Sequence, residues 1–128
     1  MVVDTSALLA ILFGEPEKDR FIEAVASAPE VLVSAGTLLE ASLVVEARRG
    51  EAAGRELDLF LHRAGVRAVA VDADQVEVAR AAWRRFGKGR HPAGLKFGDL
   101  YAYALARVQD DVLLFKGDDF SRTDIRPA

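Results

Sequence analysis

Acidic residues stand at four separated points of this 128-residue chain where a parallel sheet would gather them. Asp4 ends the first apolar run, and Asp118 and Asp119 follow the last one. Glu40 lies one turn into the helix expected after the second strand, and Asp99 opens a later helix. Carboxylates brought within a few ångströms repel one another, so some would be protonated unless a cation lay between them.

The donor set indicates which cation such a site would take. Oxygen ligands without sulfur or imidazole suit hard ions, so the sequence predicts Mg²⁺, with Mn²⁺ as an alternative, rather than zinc. The chain has no cysteine, and its two histidines, His62 and His91, show no spacing that pairs them with each other or with a serine. Such an ion would lower the pKa of bound water and neutralise charge on a scissile phosphate. One metal or two is left open.

Each acidic residue taken alone also has an ordinary structural interpretation. Asp4 could cap the first helix, and Thr37 with Glu40 has the spacing of a capping box. Asp99 could complement a helix dipole, and the aspartate pair after the last strand could belong to a turn. These interpretations do not exclude metal binding, and it is the set as a whole that favours chemistry.

The elements that would position these residues alternate between short apolar strands and amphipathic helices. Strands are predicted at Met1–Val3, Val31–Val33, Val66–Val71 and Val112–Phe115, with a short final one at Thr123–Arg126. Helices are predicted at Ser6–Phe13, Glu17–Ala28, Thr37–Arg49, Glu51–Ala64, from Asp72 or Asp74 to Phe86, and at Asp99–Val108. This order predicts one α/β domain over residues 1–128, with a short parallel sheet of about five strands and helices on both faces. Functional groups in such sheets gather beyond the carboxyl ends of the strands.

Four motifs, in order along the chain, carry a resemblance to a known family. They are MVVDTSAL at residues 1–8, LLEA at 38–41, FGDLYA at 97–102 and LLFKGDDF at 113–120. Together they resemble the acidic motifs of PIN domains, and in particular of VapC-type ribonuclease toxins from type II toxin–antitoxin systems. The four acidic sites run from residue 4 to the pair at 118 and 119, nearly the whole chain.

The resemblance implies a metal-dependent endoribonuclease that hydrolyses RNA phosphodiester bonds by in-line attack of water. The catalytic residues it implies are Asp4, Glu40, Asp99 and Asp119, and the metal ligands are Asp4, Asp99 and either Asp119 or Asp118. Thr5 or Ser6 would hydrogen-bond a ligand water or a carboxylate. Many relatives carry an acid or Asn directly after the last strand, where this chain has Gly117. Alignment on the Asp-Phe pair favours Asp119 over Asp118.

A basic segment lies immediately before Asp99 in a chain whose net charge is −3. Residues 79–98 contain no Asp or Glu, yet they hold six of the 17 Lys and Arg residues. We expect five of them to contact RNA phosphates, namely Arg84, Arg85, Lys88, Arg90 and Lys96; a solvated face is the alternative. Phe97, Tyr101 and Tyr103 could stack on bases, although a core position is expected for Phe97 and Tyr103.

The resemblance also implies partners. We expect an RNA substrate such as tRNA or rRNA, a VapB-type antitoxin, a homodimer, a cytoplasmic location, and neither a leader peptide nor a membrane segment. Apolar residues in Ala7–Phe13 and Leu38–Val45 could form a groove for an antitoxin helix or a dimer contact, unless neighbouring helices bury them. The alternative functions are a non-catalytic PIN-like module that binds RNA or protein and, less compatible with the motifs, a phosphoacceptor receiver domain in which Lys116 would serve.

Overall fold

A computed structural model describes all 128 residues and contains one sheet of four parallel strands. The strands are β1 (Val2–Val3), β2 (Val31–Ser34), β3 (Val66–Val69) and β4 (Leu113–Leu114). They lie in the order β3-β2-β1-β4. The predicted fold class, a parallel α/β sheet flanked by helices, is confirmed.

The expected fifth strand at residues 123–126 does not form. Phe120–Arg122 makes a 3₁₀ turn, and the following segment meets β4 through one isolated bridge between Leu113 and Pro127. Thr123 accepts the Ile125 backbone N–H with its side chain, and Pro127 has no N–H to donate. The hydrogen bonds to β4 come later in the chain, from Leu113 N–H to Arg126 O and from Ala128 N–H to Leu113 O, both at 2.9 Å, so only residues 126–128 meet the sheet.

Five helices connect and cover the strands. They are α1 (Thr5–Leu12), α2 (Lys18–Ser27), α3 (Ala35–Arg63), α4 (Ala73–Phe86) and α5 (Phe97–Val108). Gly50 interrupts α3 with a φ of 82° and a ψ of 178°, so the two helices predicted on either side of Gly50 follow one another across a break. Asp72 caps α4 by accepting the Gln75 N–H at 2.9 Å. No helix is both long and apolar enough to cross a membrane.

Alternate strand residues face opposite sides of the sheet, as the pleat of a strand requires. Val3, Val33 and Leu114 pack with α1, α2 and α3, whereas Leu32 and Leu113 pack with α4 and α5. The sheet is thus buried on both faces between two helical layers. The predicted acidic residues therefore lie outside these apolar layers, after the carboxyl ends of β1, β2 and β4 and at the start of α5.

Candidate active site

Asp4 follows β1 directly, and only 3% of its surface is exposed. It caps α1: its Oδ2 accepts hydrogen bonds from the Ser6 backbone N–H at 2.9 Å and from the Ser6 hydroxyl at 2.6 Å. Its other oxygen, Oδ1, is buried and has no hydrogen-bond partner. Burial, with a smaller contribution from the charges of Asp99 and Glu40, raises the pKa of Asp4 to about 6 against the two Ser6 hydrogen bonds.

Glu40 is turned toward α1 rather than toward its own helix start. The Thr5 hydroxyl donates to Glu40 Oε1, which links α3 to the residue next to Asp4. The interpretation of Thr37 and Glu40 as a capping box is therefore wrong. Ser34 caps α3 by accepting the Gly36 N–H at 3.3 Å, so the helix begins earlier and Thr37 lies inside it with a buried, unpartnered hydroxyl.

Asp99 is the third residue of α5 and lies beside Glu40. Its Oδ2 accepts the Lys96 backbone N–H at 2.8 Å, which also helps to cap the helix. Burial raises the pKa of Asp99 against that hydrogen bond, and the charges of Asp119 and Glu40 raise it further. A Cβ at position 98 would overlap the Glu40 carboxylate, so Gly98 allows Glu40 to lie against the start of α5. No sequence motif predicts this role of Gly98.

Asp118 and Asp119 follow β4 and are both exposed. Of the two, Asp119 is the residue whose charge raises the pKa of Asp99. A hydrogen bond connects this segment to the start of α1, because the Lys116 backbone N–H donates to the Ser6 hydroxyl at 2.9 Å. The Lys116 ammonium instead contacts Glu15 and Glu17. Lys116 therefore does not stand over an acidic pocket as it would in a receiver domain.

The four acidic sites thus act on one another electrostatically through Asp99, although they lie after two strands, β1 and β4, and in two helices, α3 and α5. No three acidic or histidine side chains lie close enough together to enclose an ion, so coordination would require side-chain rotation. A hard divalent cation nevertheless fits the chemistry of the donors. The buried, unpartnered Asp4 Oδ1 is an available ligand, and positive charge would offset the burial, and the smaller repulsion, that raise the pKa of Asp4 and Asp99.

The basic side chains of residues 84–96 do not all lie on one surface. All five predicted RNA contacts are exposed, but Arg85 lies 3.5 Å from Asp124, and the Arg90 guanidinium lies 4.1 Å from the centre of the Trp83 ring. Lys88 and Lys96 instead line a cavity between α4 and α5, on the side where α5 begins. Arg84 is exposed on α4. Of these residues, Lys96 lies beside the acidic residues, because its backbone N–H donates to Asp99 Oδ2, and Lys88 shares the cavity with it.

The three aromatic residues near Asp99 divide in a way that the sequence did not predict. Tyr103 is buried, as expected, and donates a hydrogen bond to Asp124 at 2.6 Å. The expected core position of Phe97 is wrong, because 76% of its surface is exposed. Tyr101 packs against α3, where a Cβ at Gly36 would overlap its ring.

Comparison with known proteins identifies the family of the chain. The PIN domain profile matches residues 1–126. The chain is 57% identical to Ribonuclease VapC30 of Mycobacterium tuberculosis over 98% of this chain and 95% of that protein. It is 56% identical to Ribonuclease VapC of Mycolicibacterium smegmatis over 98% of this chain and 97% of that protein.

Solved structures share the fold at lower sequence identity. The structure of M. tuberculosis VapC20, described as a sarcin-ricin loop cleaving toxin, covers 99% of this chain and 97% of its own, with a TM-score of 0.80 at 23% identity. A toxin-antitoxin complex from Klebsiella pneumoniae covers 96% of this chain and 92% of its own, with a TM-score of 0.74 at 18% identity.

Proposed function

Because this chain belongs to the PIN domain family, and within it to the VapC ribonucleases, we propose that it is an endoribonuclease that hydrolyses RNA phosphodiester bonds. The observation that carries the proposal is the buried Asp4 Oδ1, which has no partner although Asp99 and Glu40 act on it electrostatically. An oxygen in that position is stabilised by a cation. We propose Mg²⁺ as the physiological ion, with Mn²⁺ able to replace it.

Asp4 and Asp99 would hold the metal, with Asp119 as the third acidic ligand and Asp118 as the alternative. When bound, the ion would lower the pKa of a water molecule and neutralise charge on the scissile phosphate. Ser6 fixes Asp4 Oδ2 through two hydrogen bonds and leaves Oδ1 free. This keeps the free oxygen at the carboxyl end of β1.

Glu40 is the residue we assign to orienting the attacking water. The Thr5 hydroxyl holds Glu40 Oε1, and Gly98 leaves room for the rest of the carboxylate against α5. A carboxylate fixed in this way can accept a hydrogen bond from water, and later its proton, without rotating away. Thr5 and Gly98 would act as positioning residues.

We further propose that the chain is the toxin of a toxin–antitoxin pair, acts in the cytoplasm on tRNA or rRNA, and forms a homodimer. An antitoxin helix would bind α3, where Leu39 and Leu43 lie one turn apart with 61% and 59% of their surfaces exposed. Residues at this spacing line one face of a helix and suit helix-in-groove recognition. The apolar residues of α1 are mostly buried and leave less surface for a partner.

The experiment that tests the activity is cleavage of labelled tRNA and rRNA fragments, with and without chelator. We expect cleavage with Mg²⁺, none with excess EDTA, and recovery when Mg²⁺ is restored. Leu43→Ala serves as a control, because it alters the proposed antitoxin face and leaves the acidic residues untouched. A pure protein that binds RNA but does not cut it with any divalent ion would instead be a non-catalytic binding module.

A further inference from the structure

A cavity of about 610 Å³ between α4 and α5 is built from two kinds of side chain. Its apolar part includes the rings of Trp83, Phe97 and Tyr101, and its polar part includes the cations Lys88 and Lys96. No Asp or Glu lines it. We refer to this cavity as the aromatic groove.

The aromatic rings are presented to solvent on an ordered support. Phe97 and Trp83 expose 76% and 44% of their surfaces, which is unusual for side chains of this size. Phe97 makes an edge-to-face contact with Tyr101 at 5.2 Å between ring centres, and Tyr101 in turn packs against Gly36. The ring of Phe97 is therefore held in place while its surface remains free for a flat partner.

The cations of the aromatic groove carry charge that the protein does not neutralise. Lys88 and Lys96 make no ion pair, whereas Arg80, also in the lining, pairs with Glu77 at 3.1 Å. Lysines beside exposed rings suit a molecule that is anionic along one side and flat and apolar along the other. Single-stranded RNA has this character, since its bases stack on aromatic rings and its phosphates bind lysine.

The aromatic groove also adjoins the acidic residues. Lys96 lines the groove with its side chain while its backbone N–H donates to Asp99 Oδ2 at 2.8 Å. Phe97 begins the helix whose third residue is Asp99. A nucleotide in the groove would therefore lie next to a phosphate held at the acidic site.

We propose that the aromatic groove binds an unpaired nucleobase of the RNA substrate, stacked on Trp83 and Phe97, with its phosphate held by Lys88 and Lys96. The inference rests on the proposed ribonuclease function and adds a substrate requirement: RNA that offers an unpaired base beside the scissile bond. A second copy of the chain fits less well, because a two-fold contact through the groove would bring Lys88 and Lys96 toward the same lysines of the copy.

Trp83 is the single tryptophan of the chain and provides a direct probe. Its fluorescence is followed while Asp4→Asn protein, which keeps a capping side chain, is titrated with four probes. These are a single-stranded RNA, a hairpin with an unpaired loop, a blunt RNA duplex, and tripolyphosphate. We expect saturable quenching by the first two, and none by the duplex or tripolyphosphate at equal phosphate concentration.

Variants then separate the groove from the rest of the surface. Phe97→Ala and Lys88→Ala should each weaken single-strand binding roughly tenfold, within the range for loss of a stacking ring or of phosphate contacts. Arg67→Ala is the matched control for charge, because Arg67 lies with Glu30 outside the groove lining and outside the basic segment. Leu43→Ala is the control for exposed apolar surface, and neither control should change the affinity.

Equal quenching by the duplex, or a Phe97→Ala variant with parental affinity, would overturn the proposal. So would a groove variant that changes only the mass measured by light scattering, because the groove would then be a contact between copies. Cleavage of the same hairpin by the unsubstituted protein with Mg²⁺ is scored separately. Cleavage without quenching rejects the groove alone, whereas quenching without cleavage supports the groove and rejects the nuclease.

Discussion

Two clusters of charged side chains lie near the two ends of α1, and they differ in whether positive and negative charges are paired. In one, the Lys116 ammonium hydrogen-bonds Glu15 and lies 3.2 Å from Glu17, and these contacts raise the pKa of Lys116. In the other, Asp4 is buried and Asp99 is half-buried, other carboxylates act on both, and the pKa of each is raised. In the first, the balanced cluster, a lysine of the chain itself neutralises the carboxylates. In the second, the unbalanced cluster, the negative charge can be neutralised only by protons or by a bound cation.

This difference indicates where chemistry is located better than acidic composition does. Both clusters contain more than one carboxylate, so a count of acidic residues would not separate them. Each cluster has a buried carboxylate oxygen without a hydrogen-bond donor, Glu17 Oε2 in the first and Asp4 Oδ1 in the second. The distinguishing feature is the neighbouring charge: Glu17 Oε2 lies 3.2 Å from the Lys116 ammonium, whereas the charges that act on Asp4 are those of Asp99 and Glu40. The predictions below test this contrast, from the largest expected effect to the smallest.

Removing a charge from the unbalanced cluster should have the largest effect. Asp4→Asn and Asp99→Asn should each lower RNA cleavage more than a hundredfold, beyond the roughly 10–100-fold typical of outer-shell losses. Both variants should fold, and both should unfold at a higher temperature in EDTA because a buried charge is removed. Cleavage rates and thermal unfolding measure the two effects. Either variant retaining a tenth of the parental rate would remove that residue from the site.

The second test concerns how Glu40 is held. Glu40→Gln should lower cleavage at least tenfold, because an amide is a poor base, while changing stability by under about 1 kcal/mol, as expected when one hydrogen bond is altered. Gly98→Ala should also lower cleavage, since its methyl group would displace the Glu40 carboxylate. In the Glu40→Gln background, Gly98→Ala should cost much less activity. Independent, multiplying losses would contradict the positioning role of Gly98.

The pH dependence of stability is the third test. The pKa of Asp4 is about 6 in the folded protein and near 3.8 without the fold, so the folded state binds more protons between these values. The contribution of Asp4 to stability in EDTA should therefore fall as pH rises from 4 to 6, by up to about 3 kcal/mol at 1.36 kcal/mol per pH unit. Asp4→Asn should flatten this slope when urea unfolding is followed at each pH. The same slope in both proteins would place the titration elsewhere.

The smallest effects are expected in the balanced cluster. Lys116→Met removes the ammonium from Glu15 and Glu17 but keeps the backbone N–H that donates to Ser6. We expect a small decrease in the unfolding temperature and less than about a twofold change in cleavage, because exposed ion pairs contribute little. A loss of activity comparable to that of Asp99→Asn would erase the distinction between the clusters.

Much of the fold could be predicted because its signals are local. Continuous apolar runs predicted the four strands, and Gly50 marked the break in α3 where its positive φ requires glycine. The cap of α3 was misplaced because Ser34 continues an apolar run and looks like part of the strand. The fifth strand was wrongly predicted because the hydrogen bonds to β4 are made at Arg126 and Ala128, beyond most of the predicted segment, and the sequence pattern does not reveal that register.

The acidic residues could be predicted from motifs and from the rule that strand ends converge. Their surroundings could not, because these depend on contacts between distant segments. Gly98 touches Glu40 across 58 positions of the chain, and nothing near either residue indicates the contact. Phe97 follows a basic loop and resembles a core residue in sequence, yet the neighbouring helices leave it uncovered.

Calorimetric titration with Mn²⁺ tests the central claim most directly, because it measures cation binding without requiring RNA. The account predicts saturable binding by the unsubstituted protein and by Lys116→Met, and little or no binding by Asp4→Asn and Asp99→Asn. Equal binding by all four proteins would show that the cation is held elsewhere. The unbalanced acidic cluster would then not be the metal site of this ribonuclease.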